Sequence, residues 1–179
     1  MITVLDNIDH DFDLSNFKKW YSGRVYSLSD CNERSDFITK LLSIASSYFN
    51  LDSCTGYESW TQLNDRPGGW HVDLDEARKI SDGIIRLPIC SIIYYLKIDN
   101  VIGGQLKISH RTVKDGIQES EYIKGIELSK VEPYDVITPK TNRLVMIPPG
   151  IYHKVETFKG ERMSMIVNPW NTSKFMNLQ

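Results

Sequence analysis

The first strong hydrophobic pattern along the chain falls in "DCNERSDFITKLLSIASSYF", residues 30–49. Phe37, Ile38, Leu41, Leu42, Ala45, Tyr48 and Phe49 recur at helical spacing, so they form one apolar stripe of an amphipathic helix. Asp30 and Glu33, three apart at its start, have the spacing of a capping box. A shorter helix is expected over 14–20, within "DLSNFKKW". From residue 51 onward the pattern changes. Runs rich in β-branched and aromatic residues occupy 87–98, 103–109, 132–139, 143–150, 151–158 and 162–170, with Gly, Pro, Asn and Asp between them. This rhythm predicts antiparallel strands of a barrel or jelly roll. The turn chemistry agrees. Asp99-Asn100 and Gly103-Gly104 separate the first two runs, Thr141-Asn142 precedes Arg143, and Pro148-Pro149-Gly150 precedes Ile151. Lys159-Gly160-Glu161 reads as a tight hairpin before Arg162.

The expected fold is therefore mainly β with N-terminal helices. Residues 1–50 give helical support and 51–179 a jelly-roll core, the cupin-like double-stranded β-helix. A length of 179 residues, without repeats or linkers, suits one domain. A net charge of −2 offers no long-range attraction to phosphate backbones, so no nucleic-acid partner is expected. The start of the chain is acidic and no apolar run approaches the roughly 18 residues of a membrane span, so no membrane partner and a cytoplasmic location are expected. Cys31, Cys54 and Cys90 are odd in number and lack a C-x-x-C pair, which makes them free buried thiols.

Candidate chemistry begins in "GGWHVDLDEAR", residues 68–78. On a strand, positions i and i+2 share a face, so His71 and Asp73 present an imidazole and a carboxylate side by side. Val72 then points the other way into the core, while Asp75 and Glu76 read as the solvated start of a loop. A jelly roll can bring His153, in another strand, opposite His71. Two imidazoles and one carboxylate on one face of a metal form the facial triad that favours non-haem Fe(II). Arg162 follows His153 by nine residues and is expected on the strand beside it, where a planar guanidinium can grip a carboxylate. Ser164, on the same face, can donate a hydroxyl to that carboxylate. His10 and His110 read as solvated loop histidines, and the aromatic run 57–63 with Trp70 as core or as the wall of a cleft.

His71-x-Asp73, "SIIYYL", "GGQL", His153 and "GERMS", ending near Trp170, together resemble the Fe(II)- and 2-oxoglutarate-dependent dioxygenases, most closely their prolyl-hydroxylase-like branch, the prolyl 4-hydroxylase alpha-subunit-like proteins. The resemblance spans about residues 66–170 and implies the same jelly roll. It implies that His71, Asp73 and His153 hold iron, and that Arg162 binds the far carboxylate of 2-oxoglutarate. Tyr95 stands where that branch hydrogen-bonds a tyrosine to the same carboxylate, so Tyr94 faces away. Ile93 and Leu106 match apolar positions of the cosubstrate pocket. The implied reaction consumes O2 and 2-oxoglutarate and hydroxylates an unactivated C–H with release of succinate and CO2. The expected substrate is a prolyl or other residue of a peptide or protein, or a free amino acid. The nucleic-acid repair branch carries a second arginine six residues after the first, where this chain has Asn168. With little chain beyond Trp170, substrate recognition is expected from the first 65 residues and from loops at 74–86 and 110–120. Two other readings stand beside this one: a cupin-type metal-dependent isomerase or hydrolase, which normally uses three histidines and a glutamate, and a non-catalytic jelly-roll binding module.

Overall fold

The structure, a computed structural model, describes residues 1–10, 24–27, 33–62 and 68–171. The expected helix over 14–20, Cys31 and the Asp30 end of the capping box lie outside these residues.

The elements run in the order β1 (Thr3–Leu5), β2 (Arg24–Ser27), α1 (Glu33–Ser46), β3 (Gly56–Gln62), α2 (Glu76–Asp82), β4 (Ser91–Gly103) and β5 (Leu106–Thr112). They continue with α3 (Glu119–Ser129), β6 (Tyr134–Ile137), β7 (Arg143–Ile147), β8 (Ile151–Val155) and β9 (Phe158–Trp170). The first fifty residues thus contribute strands as well as a helix. All strand pairs are antiparallel, in a six-stranded sheet of order β1-β7-β4-β9-β3-β2 and a three-stranded sheet of order β6-β5-β8. The architecture is mainly β, a jelly-roll core with helices on its outer faces.

Three apolar clusters explain the layers. β4 sits near the middle of the larger sheet and is buried on both faces, which is why "SIIYYL" reads as a continuous apolar run instead of alternating. Ile92, Tyr94 and Leu96 face outward against Phe37, Ile38, Leu41, Leu42 and Ala45 of α1. Ile93 and Tyr95 face inward against Leu106, Ile108 and Val155 of the smaller sheet. Tyr94 therefore does face away from Tyr95, and its hydroxyl donates to Ile8 O at 2.5 Å. The third cluster lies outside the smaller sheet, where Tyr122 packs with Tyr152, Trp70, Val72 and Leu74. Val72 is in a core as expected, in a segment that is extended only far enough for His71 to make a single bridge to His153.

Several expectations for the connections change. Asp99-Asn100 makes no turn: Asn100 adopts φ 51 inside β4, where the pairing with β9 shifts register between Asp99 and Ile102. Lys159-Gly160-Glu161 makes no hairpin either, because β9 begins at Phe158 and pairs there with Gly103 of β4. β8 and β9 belong to different sheets, so the chain crosses the sandwich between Val155 and Phe158. The segment 74–86 contains α2, and Asp75, expected as solvated, is 4% exposed and caps that helix by accepting from Arg78 N at 3.1 Å. α3 was not visible as a helix in the hydrophobic pattern, since it buries only Tyr122, Gly125 and Ser129 and its stripe is thin. Cys90 is buried and Cys54 partly so, both as free thiols, and burial pushes Cys90 up to about 12.

Gly125 allows α3 to approach β8 closely. A Cβ there would stand 2.1 Å from the hydroxyl and 2.5 Å from Cζ of Tyr152, whose ring is 1% exposed and whose hydroxyl donates to Tyr122 O at 3.0 Å. Gly125→Ala should lower stability by about 1–2 kcal/mol despite the better helix propensity of alanine, because a well-packed ring must move. Gly69→Ala, with nothing within 4 Å of the added atom, should leave the melting temperature unchanged. Thermal denaturation of both variants compares the two directly, and equal melting temperatures would contradict the close packing.

Candidate functional site

A pair of backbone hydrogen bonds places the candidate metal-binding side chains. His71 N donates to His153 O at 3.0 Å and His153 N donates to His71 O at 2.8 Å, an antiparallel bridge that attaches the 71–73 segment beside β8. The imidazoles consequently face one another with ring centres 4.5 Å apart. Asp73, two residues on and on the same face, brings Oδ1 to 4.0 Å from His71 Nε2 and Oδ2 to 3.9 Å from His153 Nε2. One ligand atom from each of the three lies within 4.8 Å of the others. Small side-chain rotations would bring that triangle onto metal bonds of about 2.0–2.2 Å.

The ring nitrogens are already oriented. His71 Nδ1 lies 2.8 Å from Gly69 O and His153 Nδ1 lies 3.0 Å from Ile151 O. Each Nδ1 therefore carries a proton donated to a carbonyl, leaving both Nε2 lone pairs toward Asp73, the arrangement that metal-binding histidines use. Burial, and then the neighbouring His71, push His153 down to about 4, so its imidazole is neutral and able to ligate at neutral pH.

Arg162 is 2% exposed and lies on β9 of the larger sheet. It faces His153 across the sandwich, not beside it on one hairpin as the residue count suggested. Nη1 donates to Ser164 Oγ at 3.3 Å, Nε has no hydrogen-bond partner, and no carboxylate among the described residues pairs with the group. The surface partners that the sequence offers are engaged elsewhere: Glu161 with Lys97 at 2.6 Å, and Glu156 with Lys107. The guanidinium carbon sits 5.1 Å from the ring centre of Tyr95, whose buried hydroxyl approaches that guanidinium but makes no hydrogen bond of ordinary geometry. Burial raises the Tyr95 phenol, while the Arg162 charge works against that rise.

A cavity of about 200 Å³ connects the two halves, with His71, Asp73 and His153 at one part and Arg162 at another. Ile93 and Leu106 line it as expected, joined by Val155 and Ile166. Strand alternation could have identified both additions, since each lies an even number of residues from a site residue on its strand. Trp60, Gln62 and Gly68 also line it. The first two belong to the run 57–63, which reads as core or as the wall of a cleft, and β3 brings them here by pairing with β9, which sets Gln62 opposite Ser164. Trp70 is instead buried in the outer cluster, with Lys154 Nζ 5.4 Å from its ring centre. His110 is exposed on β5 and lies 3.4 Å from Asp135, whereas His10 is not a free loop residue: its ring packs edge-on to Phe37 and Tyr94.

No protein-family model matches the sequence, and no curated protein matches it. Solved structures do share the fold. HygX from Streptomyces hygroscopicus, crystallised with nickel and 2-oxoglutarate, aligns with a TM-score of 0.53 at 11% identity over 96% of this chain and 83% of that one. A viral collagen prolyl hydroxylase from Paramecium Bursaria Chlorella virus-1, in complex with 2-oxoglutarate, gives 0.51 at 11% identity over 94% of each chain. An oxidoreductase of the 2-oxoglutarate-Fe(II) oxygenase family from Burkholderia pseudomallei gives 0.50 at 14% identity over 89% and 80%. At these identities the likeness is one of fold.

The geometry generates two expectations for the ligand-free, metal-free protein. A buried guanidinium without an anion costs solvation energy, so Arg162→Met, which keeps the stem and removes the charge, should raise stability by about 1 kcal/mol or more. A lower melting temperature would mean the cation is structurally satisfied. His153 ionises near 4 in the folded chain against an ordinary 6.5. Across that window the unfolded chain binds the extra proton, so stability should fall as the pH drops from about 6.5 to about 4. Denaturant titrations at several pH values should show a shallower fall for His153→Gln, and equal slopes would refute the assignment.

Proposed function

We propose that the chain is an oxygenase domain dependent on Fe(II), 2-oxoglutarate and O2, hydroxylating an unactivated C–H with release of succinate and CO2. The observation that carries this reading is Arg162, a buried cation with no carboxylate partner among the described residues, across a cavity from a His-Asp-His cluster. A metal site for isomerisation or hydrolysis needs no such group, and neither does a binding module whose histidines meet by accident.

The donor set fits ferrous iron: two imidazoles turned Nε2-inward by backbone carbonyls, and one carboxylate, leaving coordination positions open. His71, Asp73 and His153 would hold the metal. Arg162, with Ser164 and Tyr95 beside it, would take the far carboxylate of 2-oxoglutarate, and the Tyr95 hydroxyl and Arg162 Nε would gain the partners they lack. Bound iron supplies the redox chemistry that couples decarboxylation of the cosubstrate to C–H oxidation. The chain's own contribution is positional. Ile93, Leu106 and Ile166 exclude water along the cavity, which strengthens the grip of Arg162 on a carboxylate. The side chain of His71 is 41% exposed against 5% for His153, so substrate approaches from the His71 side, past Gly68 and Gln62.

The substrate proposed is a prolyl or other residue in a peptide or protein, or a free amino acid. Solved proteins of the same fold, a viral collagen prolyl hydroxylase in complex with 2-oxoglutarate among them, support the cosubstrate and this substrate class. Asn168, at the position of the second arginine of the repair branch, offers no cation for a phosphodiester.

Anaerobic addition of Fe(II) and then 2-oxoglutarate should give a visible charge-transfer absorption, and air should then yield succinate. Asp73→Ala removes the single anionic donor and should abolish both iron binding and turnover. Arg162→Met should leave iron binding intact and raise the 2-oxoglutarate requirement by roughly two orders of magnitude, corresponding to about 3 kcal/mol for breaking a buried charge pair. The reading fails if Asp73→Ala keeps full activity, or if wild type gives neither the band nor succinate with any peptide or amino acid.

A further inference from the structure

Two of the places where the chain crosses between the sheets meet beside Arg162. β4 leaves the larger sheet through Gly103 and Gly104, and β9 enters it through Thr157 and Phe158. Gly104 N donates to Thr157 O at 3.1 Å and Glu156 N donates to Gln105 O at 3.0 Å, so the crossings latch to each other. Glycine is required on one side of the latch. Gly103 and Gly104 adopt φ of +86 and +72, and a Cβ on Gly103 would meet Thr157 O at 2.3 Å. A Cβ on Gly104 would lie 3.2 Å from Phe158 Cβ and 3.4 Å from Arg162 Cδ, so that glycine leaves room for both side chains.

Held this way, the Phe158 ring is 7% exposed and its centre lies 5.5 Å from the guanidinium carbon of Arg162. The Tyr95 ring approaches the same carbon at 5.1 Å. Two aromatic rings thus neighbour a cation that no carboxylate of the described residues pairs with. Attraction to a ring quadrupole needs no anion and leaves the N–H edge of the guanidinium free for a ligand. Phe158 does not line the cavity, so any effect on a bound anion must pass through Arg162.

We propose that Phe158 is a positioning residue for anion binding: with Tyr95 it brackets the Arg162 guanidinium and holds it ready before a dicarboxylate arrives. The inference rests on the reading that Arg162 takes the far carboxylate of 2-oxoglutarate. It assigns to Phe158 an affinity role without contact with metal or substrate.

The test titrates 2-oxoglutarate anaerobically into the Fe(II)-loaded full chain and follows the visible band, with steady-state turnover measured in parallel. Phe158→Leu keeps an apolar side chain but removes the quadrupole, and should raise both Kd and KM for 2-oxoglutarate by about tenfold. Turnover at saturating 2-oxoglutarate and the affinity for Fe(II) should not change, and Phe158→Tyr should bind as wild type does. In an Arg162→Met background, Phe158→Leu should have no further effect, because the path runs through the removed group. Phe158→Met serves in the same way if the leucine variant does not fold. Unchanged affinity in the Phe158 variant, or an equal loss in the Arg162→Met background, overturns the bracket and leaves the oxygenase reading standing. A wild-type protein without the band overturns that reading, and the bracket with it.

Discussion

The candidate site depends on one short backbone bridge. His71 and His153 exchange N–H···O=C bonds of 3.0 and 2.8 Å, and this pair sets the 71–73 segment in register with the smaller sheet. Side chains alternate faces along a strand, so a slip of one residue would put Val72 opposite His153 and turn both His71 and Asp73 into the outer apolar cluster. Such a slip would bury a carboxylate and an imidazole among Trp70, Tyr122 and Tyr152 and expose a valine to the cavity. Hydrophobic patterning on the outer face thereby enforces the polar cluster on the inner one.

The inner face carries the opposite kind of constraint. Arg162, Tyr95 and Ser164 are buried side by side, and two of the three present polar atoms without partners. A core selected only for stability would have placed apolar groups there. The cost is tolerable because the rest of the sandwich is well packed, with Ile93, Leu106, Ile108 and Val145 filling the space around it. On the proposed reading, a cation fixed before a carboxylate arrives would lose little freedom on binding, an advantage that offsets the desolvation.

Much of this was legible in the sequence, for identifiable reasons. Strands announce themselves by period and by the turn residues between them, so Asn142 and Gly150 mark real turns, both at positive φ. His-x-Asp on a strand needs only alternation to be read as a shared face. What the sequence concealed is which strands share a sheet. A tight turn and a bulge use the same residues, and Gly160 at φ +100 serves a bulged strand start whose added Cβ would meet Asn100 O at 2.3 Å, not the hairpin that "KGE" suggests. The run 57–63 reads as core or as the wall of a cleft for a related reason: Trp60 and Gln62 reach the cavity through β3–β9 pairing across about a hundred residues, and no local pattern encodes the contact that decides between the two. α3 escaped notice because Gly125, the residue that lets it pack, is itself a poor helix former.

Arg162 lies in a different place from the one that residue counting suggests. Counted along a hairpin it would neighbour His153 within one sheet, close enough to compete with Asp73 for the metal-binding corner. Carried across the sandwich by the crossing at residues 156–157, it faces that corner from the other sheet instead, with the cavity between. That separation gives the arrangement its chemical sense. A guanidinium adjacent to two imidazoles would repel a metal cation, whereas one at a distance attracts the far end of a bidentate ligand and leaves the near end for the metal. On the proposed reading, the crossing, and the glycines that permit it, would let the arginine complement a metal at His71, Asp73 and His153.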